Sequence, residues 1–482
     1  MKKKKKIINN LIYKSILFSA ISFNSFSSEN IGREKVHDQK IELKKILESV
    51  EKNYPKILAL YQEIDAAEGS ILAAKGFFDI KLRQTYLEKT KGYYDGRYSE
   101  TSIVKRNEFL GSELYLGYRK SSHDFENHES RFYTSHEGQF KIGAKFSLLQ
   151  NAMIDENRLK IINAKINAEE SRLTLKNIKN EIKRDAKKAY YNWISYHEIY
   201  LINRELYDLA IKRNKQFEIR VEKGDLAPII LIENERNALS RKTAMYNALR
   251  DFENSSIYLS LFYRNENSEP IIPTDLDCPR INNINKRIRK LNIEEFDQHF
   301  IEALHNRADL KLIKLEKEIE INNLKQAKNL YKPKLDIEVL ASNDLSNENP
   351  TRKQSKNEVS INFEIPLQQR EAKGEIAKTN ARIDRINFEE KLLKESSKAR
   401  LSQFKNSINA IFEINENLQK EIMLSIKLED AEKIKFEKGN SDFFLINIRE
   451  QNTASSKVTA IHAITDYFKV FADYEAEIFF NQ

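Results

Sequence analysis

A mainly α-helical fold with a membrane β-barrel, built from one helix–strand–strand–helix–helix unit used twice, is what this sequence predicts. Three observations predict it. Glycine and proline are scarce and unevenly placed, apolar residues step by three and four over long stretches, and two short segments in each half alternate apolar with polar residues instead.

The long helices come first. The 482 residues hold 12 glycines and 8 prolines, and eight of the glycines fall between Gly69 and Gly143. Residues 144–223, 229–269, 375–438 and 440–482 contain neither. These are the two residues most costly inside a helix, so such segments read as uninterrupted rods. At about 1.5 Å per residue the longest are about 100 Å, several times the width of a small domain, and a rod of that length needs partners along it. Leu401, Phe404, Ile408, Ile411, Asn415, Leu418 and Ile422 form a coiled-coil seam. Ile161, Ala164, Ala168, Ser171, Leu175, Ile178 and Ile182 keep the same spacing with smaller side chains, which lets helix axes approach closely. Trp193, in the middle of a predicted rod, reads as a packing anchor.

The duplication shows in fixed offsets. A shift of 215 lays Glu222-Lys223-Gly224-Asp225 on Glu437-Lys438-Gly439-Asn440, and Glu235 and Asn237 on Glu450 and Asn452. A shift of 253 lays Asn53 on Asn306, Ala74-Lys75 on Ala327-Lys328, and Phe78 on Tyr331. Between the matched pieces lie the strands. Phe140, Ile142, Ala144, Phe146 and Leu148 alternate with polar or small residues, as do Val359, Ile361, Phe363 and Ile365; Ile80, Leu82 and Tyr86, and Leu335, Ile337 and Val339, precede them more weakly. The first half carries extra residues between its strands, with Leu114, Leu116 and Tyr118 around Gly111 and Gly117, either an added hairpin or a long surface loop.

Residues 1–27 read as a secretory leader: six lysines and no acid, a broken apolar stretch from Ile7 to Phe26, and small residues at Ser25 and Ser27. Two-thirds of the formal +9 charge therefore belongs to the leader, and no nucleic-acid partner is expected. Beyond it no segment approaches 18 consecutive apolar residues, so the way left to span a bilayer is a β-barrel. The organisation expected is a leader at 1–27, a first unit at 28–263, an equatorial linker at 264–293 and a second unit at 294–482. Strands are expected near 78–88, 138–148, 333–341 and 357–366, and long helices over 152–222, 227–263, 370–437 and 441–479. The linker's Pro270, Pro273, Cys278 and Pro279 suit a wrap around the waist, and the lone Cys278 excludes an intramolecular disulfide.

A duplicated helix–strand–strand–helix–helix chain behind a leader resembles the TolC-like outer-membrane efflux family over nearly all its mature length. The most specific carriers are the two turns, Glu222-Lys223-Gly224-Asp225 before Ala227-Pro228-Ile229 and Glu437-Lys438-Gly439-Asn440 before Asp442-Phe443-Phe444, with Tyr331-Lys332-Pro333 entering a strand and Ile365-Pro366-Leu367 leaving one. Either glycine can reverse the chain cheaply, and Asp225 or Asn440 directly after it can cap the returning helix. The resemblance implies a homotrimer in the outer membrane, its barrel in lipid and its helices a periplasmic tunnel. It also implies a passive duct for efflux or type I secretion, opened at its tip by a periplasmic adaptor and an inner-membrane pump. Gly224, Asp225, Gly439 and Asn440 would then be the tip turns that meet the adaptor, and Glu233, Glu235, Asp442 and Glu450 would supply charge at the entrance. The family's usual acidic position six residues after the glycine holds Ile230 or Leu445 here, and the position at nine holds Glu233 or Ile448. A periplasmic adaptor and a non-transport coiled-coil protein are the alternatives.

Catalytic chemistry is not expected. No phosphate-cradling loop, nucleophile elbow or paired-cysteine motif occurs, and no cofactor is called for. His123, His128 and His136, among Asp124, Glu126 and Glu129, match no closed metal site and read as a polar loop.

Overall fold

The computed structural model describes residues 40–91, 96–122, 137–345 and 355–479. The leader and the loop with His123, Asp124, Glu126, His128, Glu129 and His136 lie outside the described residues.

The first half opens with α1 (Leu43–Asn53) and α2 (Pro55–Lys75), which part at Tyr54 because Pro55 lacks an N–H yet has the right φ to start a helix. Strands β1 (Lys81–Lys89), β2 (Gly96–Arg106), β3 (Glu113–Ser122) and β4 (Gln139–Ser147) follow. Then α3 (Glu156–Glu222), 67 residues long, and α4 (Pro228–Ser260) make the first hairpin. A linker holding the one-turn helix α5 (Asn282–Asn285) leads to the second half. There α6 (Ile293–Asn306), α7 (Ala308–Leu330), β5 (Lys334–Asp344) and β6 (Ser355–Glu364) precede α8 (Arg370–Glu437), 68 residues, and α9 (Phe443–Ile478).

All six strands of the described residues join one antiparallel sheet in the order β1-β2-β3-β4-β5-β6. The extra residues of the first half are thus a hairpin, β2–β3, set between β1 and β4, and not a surface loop. Its side chains continue the rows of the flanking strands. Leu82 lies opposite Ile103, Ile103 opposite Leu116, and Leu116 opposite Ile142. Gly117 and the polar run Ser99–Ser102 had weakened that alternation in the sequence.

The largest apolar cluster lies at the waist, where α1, α3, α9 and the linker meet. Trp193 is completely buried and donates its indole N–H to Ser256 Oγ at 2.9 Å; the Tyr190 hydroxyl donates to the Ile41 carbonyl at 2.9 Å. The linker binds into this cluster. Ile41 donates its N–H to Asp277 O at 2.9 Å, Arg289 N–H donates to the Tyr467 hydroxyl at 3.0 Å, and Cys278 is buried, with its thiol pushed up by burial. In the α8 seam Leu401, Ile408, Asn415 and Leu418 are buried, and Asn415 reaches Asn285 of α5 at 3.2 Å, so the polar residue at that heptad position has a partner.

Candidate functional site

The sheet is inside out. On one face the ladder sets Leu82, Ile103, Leu116 and Ile142 in a row, with Leu114, Ala144, Val339 and Val359 in the next and Phe146, Ile337 and Ile361 beyond it. This face is exposed: Leu82 is 74% accessible, Ile142 61% and Val359 69%. The opposite face carries Glu100, Arg119, Lys141, Lys145, Asp336 and Glu338, and Lys141 is only 6% accessible. Among the described residues no α-helix is packed along either face, so Glu100, Arg119, Lys141 and Asp336 are sheltered by the sheet curling toward them, while Lys145 and Glu338 stay exposed. Burying one large apolar side chain is worth about 1.5–3 kcal/mol, so the eight exposed ones (Leu82, Ile103, Leu114, Leu116, Ile142, Val339, Val359 and Ile361) forgo on the order of 12–24 kcal/mol in water. A chain surrounded by water would curl the other way. In hydrocarbon the arrangement is the favourable one.

The charges on the inner face satisfy each other. Glu100 of β2 accepts from Arg119 Nε at 2.5 Å, from Lys141 Nζ at 3.4 Å and from the Tyr115 hydroxyl. Lys145 meets Asp336 at 3.1 Å and Arg106 meets Glu113 at 2.7 Å, beside a cavity of about 1020 Å³ at the end of the sheet nearest the helices.

Sequence reasoning missed the junction between sheet and rods. Asp155 caps α3, accepting from the backbone N–H of Asn157 at 2.7 Å and of Arg158 at 2.9 Å. Arg158, buried, donates its Nε to Asp155 at 2.7 Å, and its Nη1 to the carbonyls of Glu108 at 2.7 Å and Ala152 at 2.8 Å. It thereby ties the β2–β3 turn to the start of α3. No motif marks it; only the Asp-x-x-Arg start of a rod hints at a cap. Arg158→Ala leaves the carbonyls of Glu108, Ala152 and Asn151 without their side-chain donor and Asp155 with its backbone donors alone, an expected loss of about 2–4 kcal/mol, measurable as a lower midpoint of thermal unfolding in detergent; an unchanged midpoint refutes the tie.

At the far end of α3, some 100 Å away along the helix, the two predicted turns have matching geometry. Gly224 has φ +77° and Gly439 φ +75°. Asp225 N–H bonds to Arg220 O and Asn440 N–H to Lys435 O, both at 2.9 Å, while each glycine N–H bonds two residues nearer, to Val221 O or Phe436 O, at 3.0 Å. These are two Schellman motifs, which satisfy the last carbonyls of each rod. The returning helices are not capped by Asp225 or Asn440, contrary to the expectation from adjacency. The first starts at Pro228 after Ala227, with no side-chain cap, and the second is capped by Asp442, which accepts from Leu445 N–H at 2.8 Å. A Cβ on either tip glycine meets nothing within 4 Å, so Gly224→Ala and Gly439→Ala are each expected to cost only the left-handed strain, about 1–2 kcal/mol. A larger loss on chemical denaturation contradicts that.

The four tip positions Gly224, Asp225, Gly439 and Asn440 are exposed. Of the acids expected at the entrance, Glu235 and Asp442 are exposed and Glu233 pairs with Arg236 at 3.2 Å. Glu450 differs. It is 1% accessible and sits between Arg241, at 2.8 Å, and Arg213, with Asn447 bonded to Arg213 Nη1 at 3.0 Å and to Asn237 at 3.1 Å. This cluster joins α9 to α3 and α4, so it locks the second hairpin against the first. Phe217 packs on Phe443, ring centres 5.3 Å apart, beside it.

No family model and no curated protein matches the sequence. Solved structures do. CusC aligns with a TM-score of 0.67 at 10% identity over 90% of this chain and 91% of its own. The Neisseria gonorrhoeae MtrE outer membrane channel, in its open state, aligns at 0.65 and 10% identity over 90% and 88%, and the Campylobacter jejuni CmeC outer membrane channel at 0.61 and 12% identity over 95% and 94%. At such identities the likeness speaks for the fold, and with the duplicated rods, the paired glycine turns and the single sheet it gives one answer: this chain has the TolC-like outer-membrane channel fold.

Proposed function

We propose that the chain is a passive outer-membrane duct for efflux or secretion: a homotrimer whose strands cross the outer membrane and whose rods form a periplasmic tunnel. The carrying observation is the sheet, with its apolar face exposed and its charged face curled inward. Six strands cannot close on themselves around a tunnel of four-helix walls, and open edges in lipid leave backbone groups unpaired, so sibling chains must complete the wall. Rods of about 100 Å suit a conduit across an aqueous space.

Gating belongs to the tip. The Glu450 cluster holds the two hairpins together, and breaking it frees the second to swing outward. Ile229, Ile232, Phe444 and Ile448 are exposed next to the turns, an apolar surface suited to a periplasmic adaptor that couples the duct to an inner-membrane pump. A periplasmic adaptor identity fits less well, since an adaptor needs one helical hairpin and a lipoyl-like module, whereas this chain has two hairpins and one continuous sheet.

Cell fractionation tests the reading. The expected result is recovery in outer membranes, as a species that runs as a trimer until it is boiled. Recovery in a soluble periplasmic extract, as a monomer, overturns it.

A further inference from the structure

We propose that every copy contributes six strands to the barrel, closing β6 of one copy beside β1 of the next, so that a ring of three has eighteen strands and a bore as wide as the helical tunnel. The proposal rests on the duct reading above and adds the architecture of its wall.

The hairpin β2–β3 is part of the wall by its faces. Ile103 and Leu116 stand in the same apolar row as Leu82 and Ile142, and Glu100 and Arg119 stand with Lys141 on the inner face. A hairpin outside the wall has no reason to repeat both patterns in register. Its inner turn is also fitted to the rods. Glu108 O accepts from Arg158 at the start of α3, and at Gly111, φ +54°, a Cβ would come within 2.9 Å of the Asn151 carbonyl. Of the charged residues on the hairpin's apolar face, Arg97 and Lys120 lie toward its far end, whereas Lys105 sits at the end nearest the rods and turns its ammonium to the Phe78 carbonyl at 2.6 Å.

The open edges call for a second copy of this chain. Successive strands are antiparallel, so β1 and β6 run oppositely and meet as an antiparallel pair in a head-to-tail ring. The helical layer ends at the same two places. α2 leads into β1 and α8 follows β6, while α2 packs on α3, α3 on α7 and α7 on α8, which leaves α2 and α8 at the two ends. Both end helices expose apolar side chains, Tyr61 and Leu72 on α2, Phe388 and Leu392 on α8. A sibling copy covers sheet edge and helix face together.

Widths agree as well. Four helices of about 10 Å make an arc of about 40 Å per copy. Six strands about 4.8 Å apart and tilted about 40° make about 38 Å, whereas four would make only about 25 Å. With six, the barrel continues the tunnel without a taper, so three copies give a backbone diameter of about 36 Å and size selection passes to the tip.

Cryo-electron microscopy of the full complex extracted from outer membranes counts the strands. Eighteen, with β2 and β3 in the wall, is the expected result; twelve, with that hairpin outside, overturns the inference while leaving a trimeric duct intact. In a second measurement Ile103→Cys and Leu116→Cys are treated in intact cells with a water-soluble maleimide, against a background kept silent by the burial of Cys278. Protection of both supports the wall placement, and labelling of both overturns it. A protein absent from the outer membrane overturns the duct reading and this one together.

Discussion

Val359→Arg is expected to block assembly into the outer membrane, whereas Ser360→Arg, one residue further along β6, is expected to leave it intact. Val359 stands in the middle apolar row with Val339; Ser360 stands opposite Glu338 on the charged face. A strand's side chains alternate between faces, so in the proposed duct the same arginine meets hydrocarbon at one position and a wet lumen with a carboxylate at the next. In lipid an arginine near the middle of the layer costs about 2–4 kcal/mol per chain, and a ring of three multiplies that to on the order of 6–12 kcal/mol, the whole stability of an ordinary domain. In water, replacing a valine that is already 69% accessible changes stability by no more than about 0.5 kcal/mol. Heat-modifiable trimer in outer-membrane fractions is the readout, and equal yields from the two variants contradict the membrane-facing assignment.

Glu450→Gln is expected to open the tip. The wild-type carboxylate neutralises two guanidiniums that are themselves almost inaccessible, Arg241 and Arg213. Removing its charge leaves two buried cations near each other with amide partners only, a cost of about 3–5 kcal/mol. Relief comes when α9 moves away from α3 and α4 and water reaches the arginines. Single-channel conductance in planar bilayers should therefore rise and lose its long closed intervals. Glu235→Gln, at the equivalent position of the first unit but exposed, should conduct like the parent. Wild-type conductance from Glu450→Gln removes the cluster from the gate.

The contrast between these two glutamates shows where sequence reading stops. An offset of 215 superposes them and suggested one role for both. The same offset carries Arg213 onto Leu428 and Arg241 onto Ser456, so the second unit lacks the cations that would hold Glu235. The repeat is symmetric in backbone and asymmetric in charge. Seeing that Glu450 faces those arginines required bringing together residues 237 and 209 positions apart.

Rods, turns and most strands were legible because each depends on neighbours within a few residues. Depletion of glycine and proline lowers the cost of helix locally, a glycine at Gly224 or Gly439 accepts a left-handed φ locally, and alternation at Phe140–Leu148 sets two faces locally. Hairpin β2–β3 is ambiguous in the sequence because Gly117 and the run Ser99–Ser102 blur its alternation, and what identifies it is pairing to Leu82 and Ile142 outside itself. The sequence alone thus determined the duplicated helical frame and the places where the chain turns. Tertiary structure decided which way the sheet curls, how many strands it holds and which charges are buried, because those outcomes are set by contacts between segments far apart along the chain.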